Sequence, residues 1–266
     1  MPFPSSPRVI YKKNPLDEVI CQLKFPPVLR IDSELPAKFQ EALRHEYPLF
    51  QETSPALPSF LGRGLPPEVG KLINLEIAIP TATKVYQFIS ADEKWKVGLT
   101  REFVALSTGS YVRWEEFRAK MDRVVSELLA AYSPSFFVRI GLRYRDIVRR
   151  SVLDLGNIHW SELLKPHILG ELASPDVEPE IQQASRETLI AVDGGKARVH
   201  LRHGLARIAD TNEEVYLIDS DFYDENRTEV KDVFTRLDSL HREAGHLFRW
   251  CITDALHKAL QPETVS

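Results

Sequence analysis

The sequence predicts an α+β protein in which one antiparallel sheet carries two long helices packed on it. Three observations predict this class: strand-like alternation in both halves, a long amphipathic helix closing each half, and the same element order, β-α-β-β-β-α, in both. The expected organisation is an extended arm at 1–14, a first α+β repeat at 15–133 and a second at 134–266. The two repeats are expected to form one composite domain.

The composition is typical of a globular protein and excludes the disordered and fibrous classes. Of the 266 residues, 43% are hydrophobic and 27% are charged, and the formal net charge is −4. Residues 1–133 carry 17 basic and 16 acidic side chains, whereas residues 134–266 carry 17 and 22. Neither half has the excess of basic residues that is expected of a protein that binds duplex DNA mainly through the DNA phosphates.

The two cysteines, Cys21 and Cys251, lie far apart and form no CxxC pair, a usage that suits a reducing cytoplasm. The N-terminus has no apolar signal region, and no stretch approaches the roughly 18 apolar residues of a membrane span. A cytoplasmic protein with no membrane partner is therefore expected.

In the first half, residues 17–25 alternate as a strand that a proline pair ends, and residues 35–47 carry the stripe of a helix. The Pro- and Gly-rich stretch 53–70 is longer than most connections in compact domains, so it is expected to be a functional or a mobile loop. Residues 71–79 and 84–90 are expected to form a hairpin. Two further strands, at 95–99 and 103–107, and a long helix at 114–132 follow them.

The second half opens on a predicted strand at 136–149 whose period of two separates an apolar face from a charged one. The apolar face carries Val138, Ile140, Leu142 and Tyr144, and the other face carries Arg139, Arg143 and Arg145.

After this strand, the pattern predicts a helix at 160–169, a hairpin, a strand at 215–223 and a second long helix at 228–260. The hairpin joins 187–192 to 197–203 through Asp193-Gly194-Gly195, which is typical of a two-residue type I′ turn. Together the halves predict a duplicated unit of a TATA-protein-like or helix-grip-like kind. The alternative to duplication is that the two halves of an ordinary α+β chain share this element order by chance, because residue identity between them is low.

Four separated motifs resemble those of a sporadically distributed, uncharacterised prokaryotic protein family of about this length. They are Tyr11-x-x-Asn14-Pro15-Leu16-x-Glu18-Val19 leading to Phe25-Pro26, Arg139-Ile140-Gly141-Leu142-Arg143-Tyr144, Asp219-x-Asp221, and Leu237-x-x-Leu240-His241 with Phe248-x-x-x-Ile252-Thr253. The resemblance implies no agreed activity and no catalytic residues. It hints at defence-associated or mobile gene neighbourhoods. The Arg145-Asp146 pair departs from the expected continuation.

Asp219 and Asp221 are the strongest candidates for chemistry, because two carboxylates two apart on a strand project from one face about 7 Å from each other. A hard cation such as Mg²⁺ could bind between them, and Arg143 could then assist phosphoester hydrolysis. The favoured interpretation is structural: both carboxylates form cross-strand ion pairs with Arg139, Arg143 or Arg145. Glu18 is expected to join Arg139 or Arg143 and one aspartate in a single charge network.

The histidines do not form a ligand set, so no metal and no cofactor is predicted. His200 and His203 point to opposite faces of a strand, and His241 and His246 are five apart on a helix. His241 is expected to cap a buried polar network instead.

Two functional hypotheses remain, because the chain contains no nucleophile elbow, Walker loop, dinucleotide fingerprint or zinc knuckle. The first is a non-catalytic binding or adaptor component that contacts a macromolecule, such as a protein partner or a second copy, through a sheet edge, the Pro-rich loop or the charged face. The second is a metal-assisted phosphohydrolase or nuclease using Asp219 and Asp221. Nucleic acid is a conceivable partner that the net charge does not favour.

Overall fold

The computed structural model describes residues 2–53 and 84–264, and it is a mixed α+β fold built on one large antiparallel sheet. The predicted strand 71–79, all of the Pro- and Gly-rich stretch except residue 53, and the hairpin turn before residue 84 lie outside the described residues. The strands are β1 Val9–Tyr11, β2 Leu16–Lys24, β3 Leu49–Thr53, β4 Val85–Ile89, β5 Trp95–Leu99, β6 Phe103–Thr108, β7 Phe136–Phe137, β8 Arg139–Val148, β9 Ser185–Val192, β10 Ala197–Arg207, β11 Glu214–Asp224, β12 Thr228–Glu229 and β13 Pro262–Thr264. The helices are α1 Arg30–Ser33, α2 Ala37–Leu43, α3 Trp114–Tyr132, α4 Trp160–Leu163, α5 Pro166–Leu169, α6 Val233–Cys251 and α7 Asp254–Ala259.

Nine of these strands form one sheet in the order β3-β4-β5-β6-β2-β8-β11-β10-β9. The first strand of each half lies at the centre, where β2 and β8 pair antiparallel with Cys21 opposite Leu142. From β2 outward the sheet continues with β6, β5, β4 and β3, and from β8 outward it continues with β11, β10 and β9. In each half of the sheet, therefore, the last strand of the sequence (β6 or β11) pairs with the first (β2 or β8). The remaining strands then follow outward in the reverse of their order in the chain.

The hydrophobic core lies on one face of this sheet, against the stripes of the two long helices. Phe117 and Leu128 of α3 and Leu237 and Leu247 of α6 are all buried, as their spacing predicts. The side chains at alternate strand positions, such as Cys21 and Leu142, join them in one cluster. The other face of the sheet is consequently free to carry polar groups.

The second long helix is shorter than predicted. It begins at Val233, after β12 and a single 3₁₀ turn, and ends at Cys251, so its length is roughly 28 Å at 1.5 Å per residue. Ile252 is extended and forms a β-bridge with Leu164, and the Thr253 side chain then caps the separate helix α7. The apolar stripe continues across this break, so periodicity alone could not reveal it.

The predicted strand 136–149 is interrupted at Val138, which is exposed rather than part of the apolar face. Phe136 and Phe137 pair with β12 in a separate two-stranded sheet. The Val138 N–H donates to the carbonyl of Lys24, and β8 begins at the next residue. Competition between two pairing partners displaces this one side chain.

Three smaller expectations also change. Residues 160–169 form two single-turn helices, because Lys165 is extended and its N–H donates to the carbonyl of Cys251. The predicted helix at 35–47 is confined to α2, with α1 before it. The β9–β10 hairpin has its connection at 193–196, between the predicted strand ends, but this is a four-residue 3₁₀ turn with positive φ at Asp193, Gly194 and Gly195 and not a type I′ turn.

The N-terminal arm is held against the rest of the chain. Its strand β1 pairs antiparallel with β13 near the other end of the sequence. Phe3 is buried, and its ring centroid lies 5.5 Å from that of Trp250. Cys21 and Cys251 are both buried and unpaired. Across residues 2–53 and 84–264, no helix has both the length and the apolar character needed to cross a membrane.

Candidate functional site

Charged side chains from four neighbouring strands meet on the polar face of the sheet. In the register of β2, β8, β11 and β10, Arg143 lies opposite Ile20 and Asp221, and Arg202 lies opposite Asp219. They surround a cavity of about 360 Å³, here called the charged basin. Its lining residues are Ile20, Gln22, Lys24, Arg139, Gly141, Arg143, His200, Arg202, Asp219, Asp221, Tyr223 and Glu225.

Arg143 and Asp219 form a buried, bidentate ion pair at the floor of the basin. The Arg143 Nε and Nη2 donate to the two Asp219 carboxylate oxygens at 2.6 Å each, and the side chains are 8% and 3% exposed. Burial by itself lowers the pKa of Arg143, but the Asp219 carboxylate outweighs it and the net shift is upward. The guanidinium is therefore a fixed cation whose charge is largely neutralised within the protein.

Arg139 forms the second ion pair, nearer the rim. Its Nη2 donates to Asp221 at 2.9 Å, its Nη1 donates to Gln22 Oε1 at 3.3 Å, and its guanidinium lies over the Tyr223 ring. Gly141 makes this possible, because a Cβ at that position would overlap the Arg139 guanidinium. Burial raises the pKa of Asp221, and the Arg139 charge counteracts only part of that effect.

Glu18 pairs with Arg145, not with Arg139 or Arg143 as predicted. The Arg145 Nη1 lies 3.1 Å from a Glu18 carboxylate oxygen, and the same guanidinium also donates to Asp17. An irregular register between Leu16 and Glu18 brings both acidic residues next to one arginine. Burial raises the pKa of Glu18, with Arg145 opposing it. Instead of one network, each of the three arginines has its own acidic partners: Asp221 for Arg139, Asp219 for Arg143, and Asp17 and Glu18 for Arg145.

The basin retains donors that no described residue satisfies. The Gln22 Nε2 and the Arg143 Nη1 are buried and lack a hydrogen-bond partner in the described part of the chain. Over the same residues, no carboxylate lies within 4 Å of the Lys24 ammonium, whose pKa is lowered by burial and then by Arg139. Unpaired donors beside a cation favour an anionic or carbonyl-bearing ligand.

The geometry does not favour a metal between the two aspartates. Both oxygens of Asp219 already accept hydrogen bonds from Arg143, and a second cation there would meet two guanidinium groups. In residues 2–53 and 84–264, no cluster of three or more His, Cys, Asp or Glu side chains is arranged to hold a metal ion.

No protein-family model matches this chain. A search of curated proteins likewise found no matching sequence. The resemblance drawn from the four sequence motifs therefore stays a prediction, and the geometry of the site carries the functional argument.

His241 lies on the opposite side of the sheet, outside the basin. Its Nδ1 is 2.8 Å from the Tyr144 hydroxyl, and its ring stacks on Trp114 with centroids 4.6 Å apart. Burial and the nearby Arg8 lower the pKa of His241 to about 4, so it is neutral near pH 7. His200 faces the basin and His203 the core, where His203 hydrogen-bonds Tyr216 at 2.9 Å.

Asp146 is a buried carboxyl that sequence reasoning did not propose as a site residue. It is 5% exposed on the core side, and no hydrogen bond or ion pair from another described residue reaches its carboxyl. Burial and the Asp219 charge raise its pKa well above the ordinary value. Its position in the alternation with Leu142 and Tyr144 was a usable signal, because that spacing assigns it to the apolar face.

Replacing Asp146 by Asn is expected to stabilise the fold, and increasingly so as the pH rises. The unfolded carboxyl ionises near pH 3.8, whereas the folded one binds its proton more tightly, so the wild type loses stability as pH rises from 3.8 towards the folded pKa. Asn carries no such penalty. Melting temperatures at pH 4.5 and pH 8 should therefore diverge, with the larger gain at pH 8. A variant less stable than wild type at pH 8 would show that the carboxylate has a favourable partner.

Proposed function

We propose that the protein is a non-catalytic binding component whose charged basin contacts an acidic segment of a protein partner. The observation that carries the proposal is a pair of buried, unsatisfied donors in the basin, the Gln22 Nε2 and the Arg143 Nη1, beside the half-buried Lys24 ammonium. A carboxylate from a partner would accept from Lys24 and from these two donors, which compensates for the dehydration of the buried pair.

The charge balance of the lining supports an anionic partner. Lys24, Arg139, Arg143 and Arg202 contribute four positive charges, and Asp219, Asp221 and Glu225 contribute three negative charges. A side-chain carboxylate would neutralise the remaining charge. A partner that presents one acidic side chain matches this excess of one positive charge better than the phosphate backbone of a nucleic acid does. The formal net charge of −4 also disfavours nucleic acid as the partner.

A protein is favoured over a small anion by the rim of the basin. Leu189 on the edge strand β9 lies directly opposite His200 and is 59% exposed, so an apolar contact adjoins the charged lining. Exposed apolar groups beside polar ones are typical of protein interfaces. The outer edge of β9 is also unpaired among the described strands and could add a partner strand.

The test is the binding of a labelled decapeptide that carries a single central Glu, measured by fluorescence anisotropy against the same peptide with Gln in place of Glu. We expect the acidic peptide to bind, and Lys24→Gln to weaken the binding about tenfold through loss of one charge-assisted contact. Arg44→Gln is the matched control, because it removes one exposed positive charge from the end of α2, away from the basin.

Equal binding of the acidic and neutral peptides, or equal effects of Lys24→Gln and Arg44→Gln, would overturn the proposal. Tighter binding of an oligothymidylate would reassign the basin to single-stranded nucleic acid. Light scattering on the purified protein tests a second copy as partner. The metal-assisted alternative has no observation in its favour, because Arg143 occupies both Asp219 oxygens.

We further propose that the fold is an internal duplication, of a TATA-protein-like or helix-grip-like kind. The matching strand order of the two halves around the β2–β8 pair supports it, with β3 as one additional strand in the first half. The two buried, unpaired cysteines support a cytoplasmic location. A place in a defence-associated or mobile gene system rests on the motif resemblance alone.

A further inference from the structure

A second cavity lies on the helix side of the sheet, between the N-terminal arm and helix α6. Its volume is about 770 Å³, within the range of small-molecule sites. One wall is the arm from Ser5 to Tyr11, and the other is the stripe of α6 that runs from Asp238 to Arg249. The cavity shares no lining residue with the charged basin.

The arm that forms one wall is held in place at several points. Strand β1 pairs with β13, and the Tyr11 hydroxyl lies 2.8 Å from His257 Nδ1. Arg8 forms an ion pair with Glu115 at 2.6 Å. Because these contacts hold the arm in place, the cavity is pre-formed. Binding to a pre-formed cavity costs less conformational entropy than binding that must order the arm.

Polar groups at the α6 wall lack partners within the described chain. His246 is 8% exposed, and its Nδ1 makes no hydrogen bond there. The Arg249 Nη1 is buried and also unsatisfied, although its Nη2 donates to Asp254 at 3.0 Å. These groups and Arg242 lie on one side of the cavity. A buried donor without an acceptor is costly, so the wall is built for an anionic acceptor.

The remaining walls are mainly apolar, with polar residues such as Ser5, Ser6 and Asn14 among them, and they do not form an open stacking platform. Trp114 is already in near-parallel contact with both His241 and Phe117, and Tyr11 packs on Phe248 and His257. The cavity therefore offers ring edges and the side chains of β1. Such a surface suits an aliphatic body better than a nucleobase.

We propose that this cavity binds a small organic carboxylate with an aliphatic body. The carboxylate would accept from Arg249, Arg242 and the Nδ1-protonated tautomer of His246. The hydrocarbon would lie between Tyr11 and the apolar part of the α6 stripe. This binding is independent of the charged basin and of the function proposed for it.

Decanoate is a suitable probe, with decanol as its uncharged counterpart, and isothermal titration calorimetry measures both. We expect saturable binding of one decanoate per chain and binding of decanol at least about tenfold weaker, since the neutral head loses the charge-assisted contacts. Gly245→Leu should weaken decanoate binding at least about tenfold, because it places a bulky side chain in the cavity beside α6. Gly245 lines the cavity on α6, and a Cβ there meets no atom within 4 Å.

Gly245→Leu should melt at the same or a higher temperature than wild type, because Leu is the better helix former. Gly156→Leu is the matched control, since a Cβ there also meets nothing within 4 Å and the residue is not part of the cavity. Arg242→Gln changes only an exposed side chain and should weaken decanoate binding about tenfold. Absence of decanoate binding at millimolar concentration, equal binding of decanol, or undiminished binding by folded Gly245→Leu would each overturn the proposal.

Discussion

Asp219→Asn is expected to lower the free energy of unfolding by about 3–5 kcal/mol, the largest loss we anticipate at any position on the polar face. Asn has nearly the shape of Asp but no charge, so the buried Arg143 guanidinium would lose its bidentate partner and keep only the more distant Asp221 and Glu18. Chemical denaturation of both proteins at pH 7 measures the difference.

Two further variants separate the mechanism from a general disturbance of the basin. Asp221→Asn removes the same charge from a carboxylate that is 32% exposed, and its cost should be about 0–1 kcal/mol. Arg143→Met combined with Asp219→Leu removes both charges and should recover most of the stability. If Asp219→Asn left stability unchanged while abolishing a cellular or biochemical activity, the ion-pair interpretation would fail and the metal-site alternative would take its place.

Leu247→Ala is expected to cost about 2–5 kcal/mol, because this side chain is 1% exposed on the sheet-facing stripe of α6. The loss combines the transfer of the removed atoms to water with the cavity that they leave. Thermal or denaturant unfolding measures it. Leu247→Met keeps the volume and should cost less than about 1.5 kcal/mol.

The matched control for this substitution is Leu29→Ala, which makes the same change at a side chain that is 68% exposed. Its effect should stay within about 0.5 kcal/mol of zero. A melting temperature unchanged by Leu247→Ala would mean that α6 does not hold its stripe against the sheet.

Much of the candidate site could be predicted from strand periodicity. A period of two places Arg139, Arg143 and Arg145 on one face, and the spacing of Asp219 and Asp221 places both carboxylates together. Sequence could not assign the pairs, because these depend on strand register. The irregular register near Leu16 places Glu18 beside Arg145. Strand β10 contributes Arg202 and His200 through its pairing with β11, which no local pattern specifies.

By itself, the sequence determined the α+β class, the two amphipathic helices and the alternating strands, because periodicity and proline act over a few residues. The tertiary structure decided where those elements stop. Val138 lies outside β8 because the residues before it pair with β12 while those after it pair with β2, and the final helix breaks at Ile252 because Leu164 pairs with that residue. The tertiary structure also decided which charges are dehydrated. Asp146 and the Arg143–Asp219 pair are buried because elements that are distant in the chain pack around them.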